Sequence, residues 1–475
     1  MATISSAGIG SGLDVNSIVT QLVALERKPV EALQTSATKI QTQISSFGRL
    51  QSALAKVRDA AAKLASSDTW TQRTASSSDT SAVTTTVTGS GAPASYIIKP
   101  TQLMQAQSNS SSGFLAKTDP VGTGHLVIER GTWFSDAVFA TKEGTAAVDI
   151  TIGAEDNTLE KVRDKINAAD AGVSAAIVWD GSYYRLSITS DEGGTANGLR
   201  ITSTDDDGDP VDGNGLSRLT YDPPSGSTQM TRNQAATDAV ALVNNLEVHS
   251  NSNTFDEVID GVSFTIAKDD GSPVALSVDH DSAAMKKAVQ DFISAYNDMN
   301  KLARDLTKID TANSANNGAL QGDRSAVTLQ LQLRGMVSAS GPSSGTFARL
   351  TDIGISTASD GTLSITDTKL SAALEDPSAL RTLFDGDGST DGVAEQLRSV
   401  IDQMIGTDGS ISSRTTGLQD RLTRNQKDQD RLEDRVAATE KRLRAQYSAL
   451  DTKMAGLNSL QSYLTQQITG WNKSS

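Results

Sequence analysis

Few side chains in these 475 residues are equipped for chemistry, and none are spaced for it. The three histidines, His125, His249 and His280, sit in separate strand-like or loop contexts, with no HxH or HxxxH spacing. A zinc site or a histidine-based triad needs imidazoles that converge, so neither is expected. Cysteine is absent, which removes disulfides, thiol nucleophiles and thiolate ligands together. No GxxxxGK[ST] phosphate loop occurs, and the glycines fall in turns rather than at strand-to-helix junctions. Two acidic stretches remain. Asp205-Asp206-Asp207-Gly208-Asp209 carries enough charge to attract a cation, and Asp385, Asp387, Ser389 and Asp391 have the alternate spacing of the first calcium-loop ligands. The second places Thr390 where such a loop needs glycine and Gln396 where it needs a bidentate glutamate, so both stretches read as solvated turns. The expectation is a protein with no catalytic residue, metal or cofactor, whose work is done by surfaces.

Composition limits what those surfaces meet. Lys plus Arg number 42 against 57 Asp plus Glu, a net charge of −15, which has the wrong sign for tracking phosphates, so no nucleic-acid partner is expected. No run approaches the roughly 18 consecutive apolar residues of a membrane span, and the first residues lack the basic start and apolar core of a cleavable signal. Membrane insertion and the general secretory route are therefore not expected. The length exceeds what one core organises, which points to about three domains. With aromatics at 4% and hydrophobic residues at 37%, small domains and long helices are favoured.

The elements follow from periodicity. Residues 1–12, ending in Gly8-Ile9-Gly10-Ser11-Gly12, read as a mobile leader. Asp14 is placed to cap a helix carrying Val15, Ile18, Val19, Leu22 and Leu25, which Arg27, Lys28 and Pro29 are expected to end. A second helix then begins at the proline, with Leu33, Ala37, Ile40, Ile44, Phe47, Leu50, Leu54, Val57, Ala61 and Leu64 in steps of three and four. The far end mirrors it. Leu418, Leu422, Asn425, Gln429, Leu432, Val436, Thr439 and Leu443 alternate in four and three. After a second step of four, the series resumes through Tyr447, Leu450, Met454, Leu457, Gln461, Leu464, Ile468 and Trp471. Two fours in succession form a stutter near Leu443, which locally unwinds a coiled coil. Charges of both signs crowd residues 421–444, the pattern of a solvated helix face.

Between the helical ends the period changes to two. Short runs at 82–88, 95–99, 125–129, 147–152, 173–179, 183–189, 198–203, 262–267 and 274–278 are separated by Gly, Pro, Asp and Ser, and Asp180-Gly181 marks a hairpin. One helix interrupts them, from Asn157 or Thr158 to about Ala169. Helical spacing returns from Met285 to Leu306, with further helices expected near 324–339, 367–374, 377–384 and 391–406. A hairpin sets Ile353 and Ile355 against Leu363 and Ile365 across Asp360-Gly361. The fold class is α+β multidomain: terminal coiled-coil-like helices, a helical-bundle domain and inserted β-rich domains. The expected division is terminal legs at 1–45 and 417–475, a helical domain at 46–73 and 283–416, a first β-rich domain at 74–112 and 240–282, and a second at 113–239 nested within it. The residues assigned to leg packing or self-assembly are Ile18, Leu22, Leu33, Ile40, Ile44, Phe47, Leu432, Val436, Leu443, Leu450, Met454, Leu457 and Leu464. The same stripe suits an intramolecular helical hairpin or a neighbouring subunit, and spacing does not separate these.

Several stretches in order resemble the flagellar filament cap family, also called the flagellar hook-associated protein 2 family. They are Gly8-Ile9-Gly10-Ser11-Gly12-Leu13-Asp14, Pro100-Thr101-Gln102-Leu103-Met104-Gln105-Ala106-Gln107, Gly172-Val173-Ser174-Ala175 with Tyr184-Arg185-Leu186-Ser187, Ala295-Tyr296-Asn297, Leu320-Gln321-Gly322-Asp323, Leu350-Thr351-Asp352-Ile353-Gly354-Ile355 and Tyr463-Leu464-Thr465-Gln466-Gln467. The resemblance implies export through the flagellar channel, location outside the cell at the filament tip, and a structural role in flagellin polymerisation. It also implies self-association, with five the favoured number, and contact with flagellin, hook–filament junction proteins and the flagellar export apparatus with its chaperone. Another axial protein, a junction protein or flagellin, shares paired terminal helices, and an adhesin with glycan-binding β domains is compatible with the cap.

Overall fold

The computed structural model describes residues 14–89, 91–206, 212–342 and 345–473. The leader at 1–12 and most of the acidic stretch at 205–209 lie outside these described residues. The helices are α1 (Val15–Ala65), α2 (Ser67–Thr71), α3 (Leu159–Ala168), α4 (Ser282–Thr307), α5 (Arg324–Val337), α6 (Asp367–Ala373), α7 (Pro377–Phe384), α8 (Val393–Ile405) and α9 (Ser410–Lys473). The chain divides into two compact units, one of residues 1–70 and 282–475, the other of residues 71–281.

The first unit is helical. The lone exception in its described part is the hairpin of Ile355–Thr357 and Leu363–Ile365, where Ile355 opposes Ile365. Ile353, expected in that hairpin, lies in the turn before it, although it is fully buried. The expected break at Pro29 does not occur, because α1 runs through it. Proline lacks an N–H and frees the carbonyl four residues back, at Leu25. Both Pro29 and Leu25 are exposed, so that carbonyl lies on the solvent side while Val23 and Val30 on the opposite side stay buried. α1 is thus one rod of about 75 Å at 1.5 Å per residue. Its buried face, Phe47, Leu50, Leu54, Val57, Ala61 and Leu64, joins Phe292 and Tyr296 of α4, Leu329 and Leu333 of α5, Leu397 and Ile401 of α8, and Leu418 of α9 in one core. Each such large side chain contributes about 1.5–3 kcal/mol on burial. Trp70 closes the end, donating its indole N–H to the Leu64 carbonyl at 2.8 Å and stacking on Phe384 at 5.4 Å.

Three short motifs singled out in the sequence have local roles in this unit, two as polar clamps and one as a turn glycine. Asn297 holds the hairpin edge from both sides, donating to the Leu363 carbonyl at 2.8 Å and accepting from its N–H at 2.7 Å. Gly354 takes φ +86°, a region that only glycine enters without strain, just before the first hairpin strand. Asp323 caps α5 by accepting from Ser325 N–H at 3.0 Å, and its other oxygen receives Arg414 of α9 at 2.8–2.9 Å.

The second unit is β-rich and has two cores. One lies between a five-stranded sheet, in the order Arg73–Ser77, Val274–His280, Ala94–Gln102, Ala239–Val243 and Leu246–Ser250, and a three-stranded sheet of Thr254–Ile259, Val262–Ile266 and Val83–Val87. Phe255 and Phe264 stack at 4.8 Å between them. The other core joins a six-stranded sheet centred on Gly124–Ser135 to a four-stranded sheet of Thr231–Gln234, Ser108–Ser110, Tyr184–Ser190 and Val173–Trp179, with α3 contributing Leu159, Val162 and Ile166. All the strand pairs are antiparallel, with registers such as Arg73 opposite His280 at the unit's two ends. Between the cores, Gln105 and Thr237 exchange N–H···O bonds of 2.9 and 3.1 Å. Asp238 accepts from the Thr195 N–H at 2.7 Å and its hydroxyl at 2.9 Å.

Candidate assembly interface

The chemistry-bearing residues stay apart. His125 pairs with Asp149 at 2.9 Å and His249 with Glu247 at 3.1 Å, while His280 lies beside Arg73. Asp387 accepts from the N–H groups of Ser389 and Thr390 at 2.9 and 2.8 Å, which makes the 385–391 stretch a hydrogen-bonded turn. Among the described residues, no three His, Cys, Asp or Glu side chains are grouped to hold a metal. Perturbed titration follows local turns and burial. Asp180 falls to about 2 beside Arg185 and the Tyr183 and Ser182 amides, and burial pushes the Tyr296 phenol up to about 12.

The leg is an antiparallel pair of α1 and α9. Asp14 caps α1 through Ser17 N–H at 3.0 Å, and Arg444 of α9 donates to Asn16 at 3.1 Å. The seam has two apolar parts. Next to the helical core it holds Ile40, Phe47, Ile44, Leu418 and Leu422. Further out, Val15, Val19, Val23 and Val436 form a separate small cluster with Leu443 and Tyr447. A polar layer lies between them in the sequence of α9: Asn425 and Gln429 are both buried, and Gln429 donates to Asn425 at 2.6 Å. Pairing these amides keeps two buried polar groups satisfied and makes a slipped register costly.

The thirteen residues assigned to leg packing are placed unevenly. Ile40, Phe47 and Val436 are buried, and Ile18, Leu33, Ile44, Leu432, Leu443 and Met454 are half-buried. Leu22, Leu450, Leu457 and Leu464 are exposed, at 38%, 45%, 59% and 51%. Beyond Tyr447, α9 continues to Lys473, and every side chain from Gly456 to Gly470 is exposed. This is the segment of the chain with a seam pattern and no cover among the described residues.

Other exposed apolar groups escaped the sequence pattern. Trp179 and Tyr183 flank the 180–183 turn, with Leu115, Phe134 and Leu246 exposed elsewhere in the β-rich unit. Alternation assigns one strand face to solvent but does not distinguish an exposed tryptophan from a buried one. Val327 and Leu331 on α5 are likewise exposed, one turn apart.

Comparison with known proteins covers nearly the whole chain. Residues 11–107 match the model of the flagellar hook-associated protein 2 N-terminus, residues 236–459 that of its C-terminus, and residues 138–192 the flagellin hook IN motif. The chain is 32% identical over 479 residues to flagellar hook-associated protein 2 of Escherichia coli K12, covering 98% of each. It is 30% identical to that of Salmonella typhimurium, covering 100% of each. The crystal structure of the E. coli flagellar cap protein D1-D2-D3 domains superposes with a TM-score of 0.60 at 30% identity, covering 79% of this chain and 99% of that one. Matched at 32% identity over 98% of its length, the chain belongs to the flagellar hook-associated protein 2 family.

Proposed function

We propose that the protein is the structural cap at the distal end of the bacterial flagellar filament, exported from the cell, where it promotes flagellin polymerisation and prevents flagellin loss. The observation that carries this is the α1–α9 leg, whose outer half is weakly packed and whose last turns present an unpartnered apolar seam. A lone helix of that kind is marginal in water and gains its stability by assembly. The working form is a homo-oligomer: identical subunits packed head to tail close into a ring, and the resemblance to the cap family favours five copies. Its partners are flagellin, the hook–filament junction proteins, and the export apparatus with its chaperone. The legs at 1–45 and 417–475 face the filament, the helical domain at 46–73 and 283–416 carries them, and the β-rich domains at 74–112 with 240–282 and at 113–239 form the plate. No bond is made or broken.

Such a ring need not match the helical symmetry of the filament beneath it, so the legs occupy unequal sites and one gap admits the next subunit. The compliance this requires lies in the small valine cluster and the stutter at Leu443, with no contribution from a break at Pro29. Deleting the gene tests the proposal. The expected result is loss of swimming with unpolymerised flagellin in the medium, restored by the intact gene. Normal filaments in the deletion strain overturn it. The alternative, a junction protein, gives the same leakage but places the protein at the hook end, which immunolabelling of filaments distinguishes.

A further inference from the structure

α9 carries two apolar registers on one helix. From Leu418 to Leu443 the heptad faces α1, and the pair is held at its outer end by Arg444 on Asn16. Two successive steps of four, Thr439 to Leu443 to Tyr447, shift the phase where α1 begins. Past that point leucine fills one seam position in three consecutive heptads, at 450, 457 and 464, and Met454, Gln461 and Ile468 fill the other. The first register has its partner in the chain. The second has none among the described residues, with Leu457 at 59%, Leu464 at 51% and Ile468 at 57% exposure.

We propose that this second register is a self-association seam, in which the α9 segment from Leu450 to Ile468 packs in parallel against the same segment of another copy. The inference deepens the self-association proposed above. Two observations commit the occupant to a second copy, and two more set aside the other candidates. From Met454 to Asn472 the helix has no Asp, Glu, Lys or Arg, so identical segments meet without the repulsion that a net charge of −15 imposes elsewhere. Gln461 is the one polar seam residue, and in a parallel in-register pair it meets its own counterpart, which satisfies both amides and fixes the register. A lipid surface needs a more apolar helix than one carrying Asn458, Gln461, Gln466 and Gln467. Residues 1–13 offer Met1, Ile4, Ile9 and Leu13 as their only large apolar side chains against six seam positions.

The absence of cysteine makes the test direct. Single substitutions Leu464→Cys and Gln461→Cys in the full chain place a thiol in the seam, while Ser459→Cys places it on the opposite face. Mild oxidation of the purified protein is expected to link copies through the first two at least about tenfold faster than through the third, because only seam positions come within disulfide reach. Equal rates at all three positions, or no linkage in oligomeric protein, overturn the proposal. So does a benzophenone maleimide on the Leu464→Cys chain that marks added flagellin but never a second copy. Linkage is read in the purified chain, so a failed filament-growth assay leaves this result standing, and a failed linkage leaves the cap function standing.

Discussion

Replacing Val19 by alanine separates the outer leg from the helical domain energetically. Val19 is fully buried, in a cluster whose other buried members are Val15, Val23 and Val436. The substitution removes two carbons, a loss of about 1.6 kcal/mol at about 0.8 kcal/mol each. The cluster is small and borders solvent, so it collapses around the gap and the cavity contribution stays minor. A loss of that size accelerates exchange through local opening by about fifteenfold. Native-state hydrogen exchange with peptide resolution is the assay. Amides of residues 15–27 and 432–447 are expected to exchange faster by that factor, while those of Phe47 to Leu64 keep their protection. The division arises because the core that holds Phe47, Leu54 and Leu418 is a separate apolar cluster, with the Asn425–Gln429 amide pair between the two. Leu54→Ala gives the opposite pattern: at about 2–5 kcal/mol it lowers protection in both regions, since α1 runs through both. Should Val19→Ala speed exchange of Phe47 to Leu64 by the same factor, leg and domain open together and the polar layer divides nothing.

Arg414→Ala strands the Asp323 carboxylate, whose side chain is 4% exposed, and is expected to cost about 3 kcal/mol in urea unfolding, with partial recovery when Asp323→Asn is added. Asp360 is held at about 2, against 3.8 when free, by the Thr362 hydroxyl and amide and by Arg304. A lowered carboxylate pKa means that its contribution is complete above about pH 4 and disappears as pH falls to about 2. Asp360→Asn is therefore expected to be less stable than the parent at neutral pH and to converge with it at the acid end; a pH-independent difference would show that the carboxylate's charge is irrelevant. Replacing Leu450, Leu457 and Leu464 together by Asp is expected to leave unfolding of the helical core unchanged, since all three are exposed within one chain, while breaking the contact between copies, abolishing filament growth and releasing flagellin. Normal filaments from that variant would mean that contact between copies through the seam is dispensable for cap function.

Periodicity made the long elements visible and failed where a structure depends on one local bond. The runs at 173–179 and 377–384 are elements with those same bounds, because alternation and a proline at the first helical turn are complete local signals. Pro29 misled for a physical reason: a proline on the exposed side of a helix frees one carbonyl to water, and the packed opposite side carries the helix past it. The hairpin of Ala239–Val243 and Leu246–Ser250 went unseen although its two-residue turn is Asn244-Asn245, with φ of +51° and +66°. Asparagine tolerates that region, and this pair was the signal available. Likewise the spacing of α9 showed which residues form a stripe but not which part of it is covered. Coverage depends on where α1 begins, which the Arg444–Asn16 contact and the packing of Val15 and Val19 with Leu443 and Tyr447 mark.

Charge and burial together divide α9 into three sections with different sources of stability. At its start Ile411 and Leu418 are fully buried in the helical core, so this section opens only with the domain. The middle section, with its salt-bridged outer face and amide pair, has few buried apolar side chains, Val436 among them. Surface pairs such as Arg444–Glu440 add at most about 1 kcal/mol each. The last section has no buried apolar side chain among the described residues, and it includes Gly456 and Gly470, each costing about 1 kcal/mol relative to alanine in a helix. Local stability must therefore fall along the helix toward Lys473, and a partner docking on Leu457 and Leu464 adds most where the chain itself supplies least. A leg built this way can order its tip on contact with a second copy and release it at small cost.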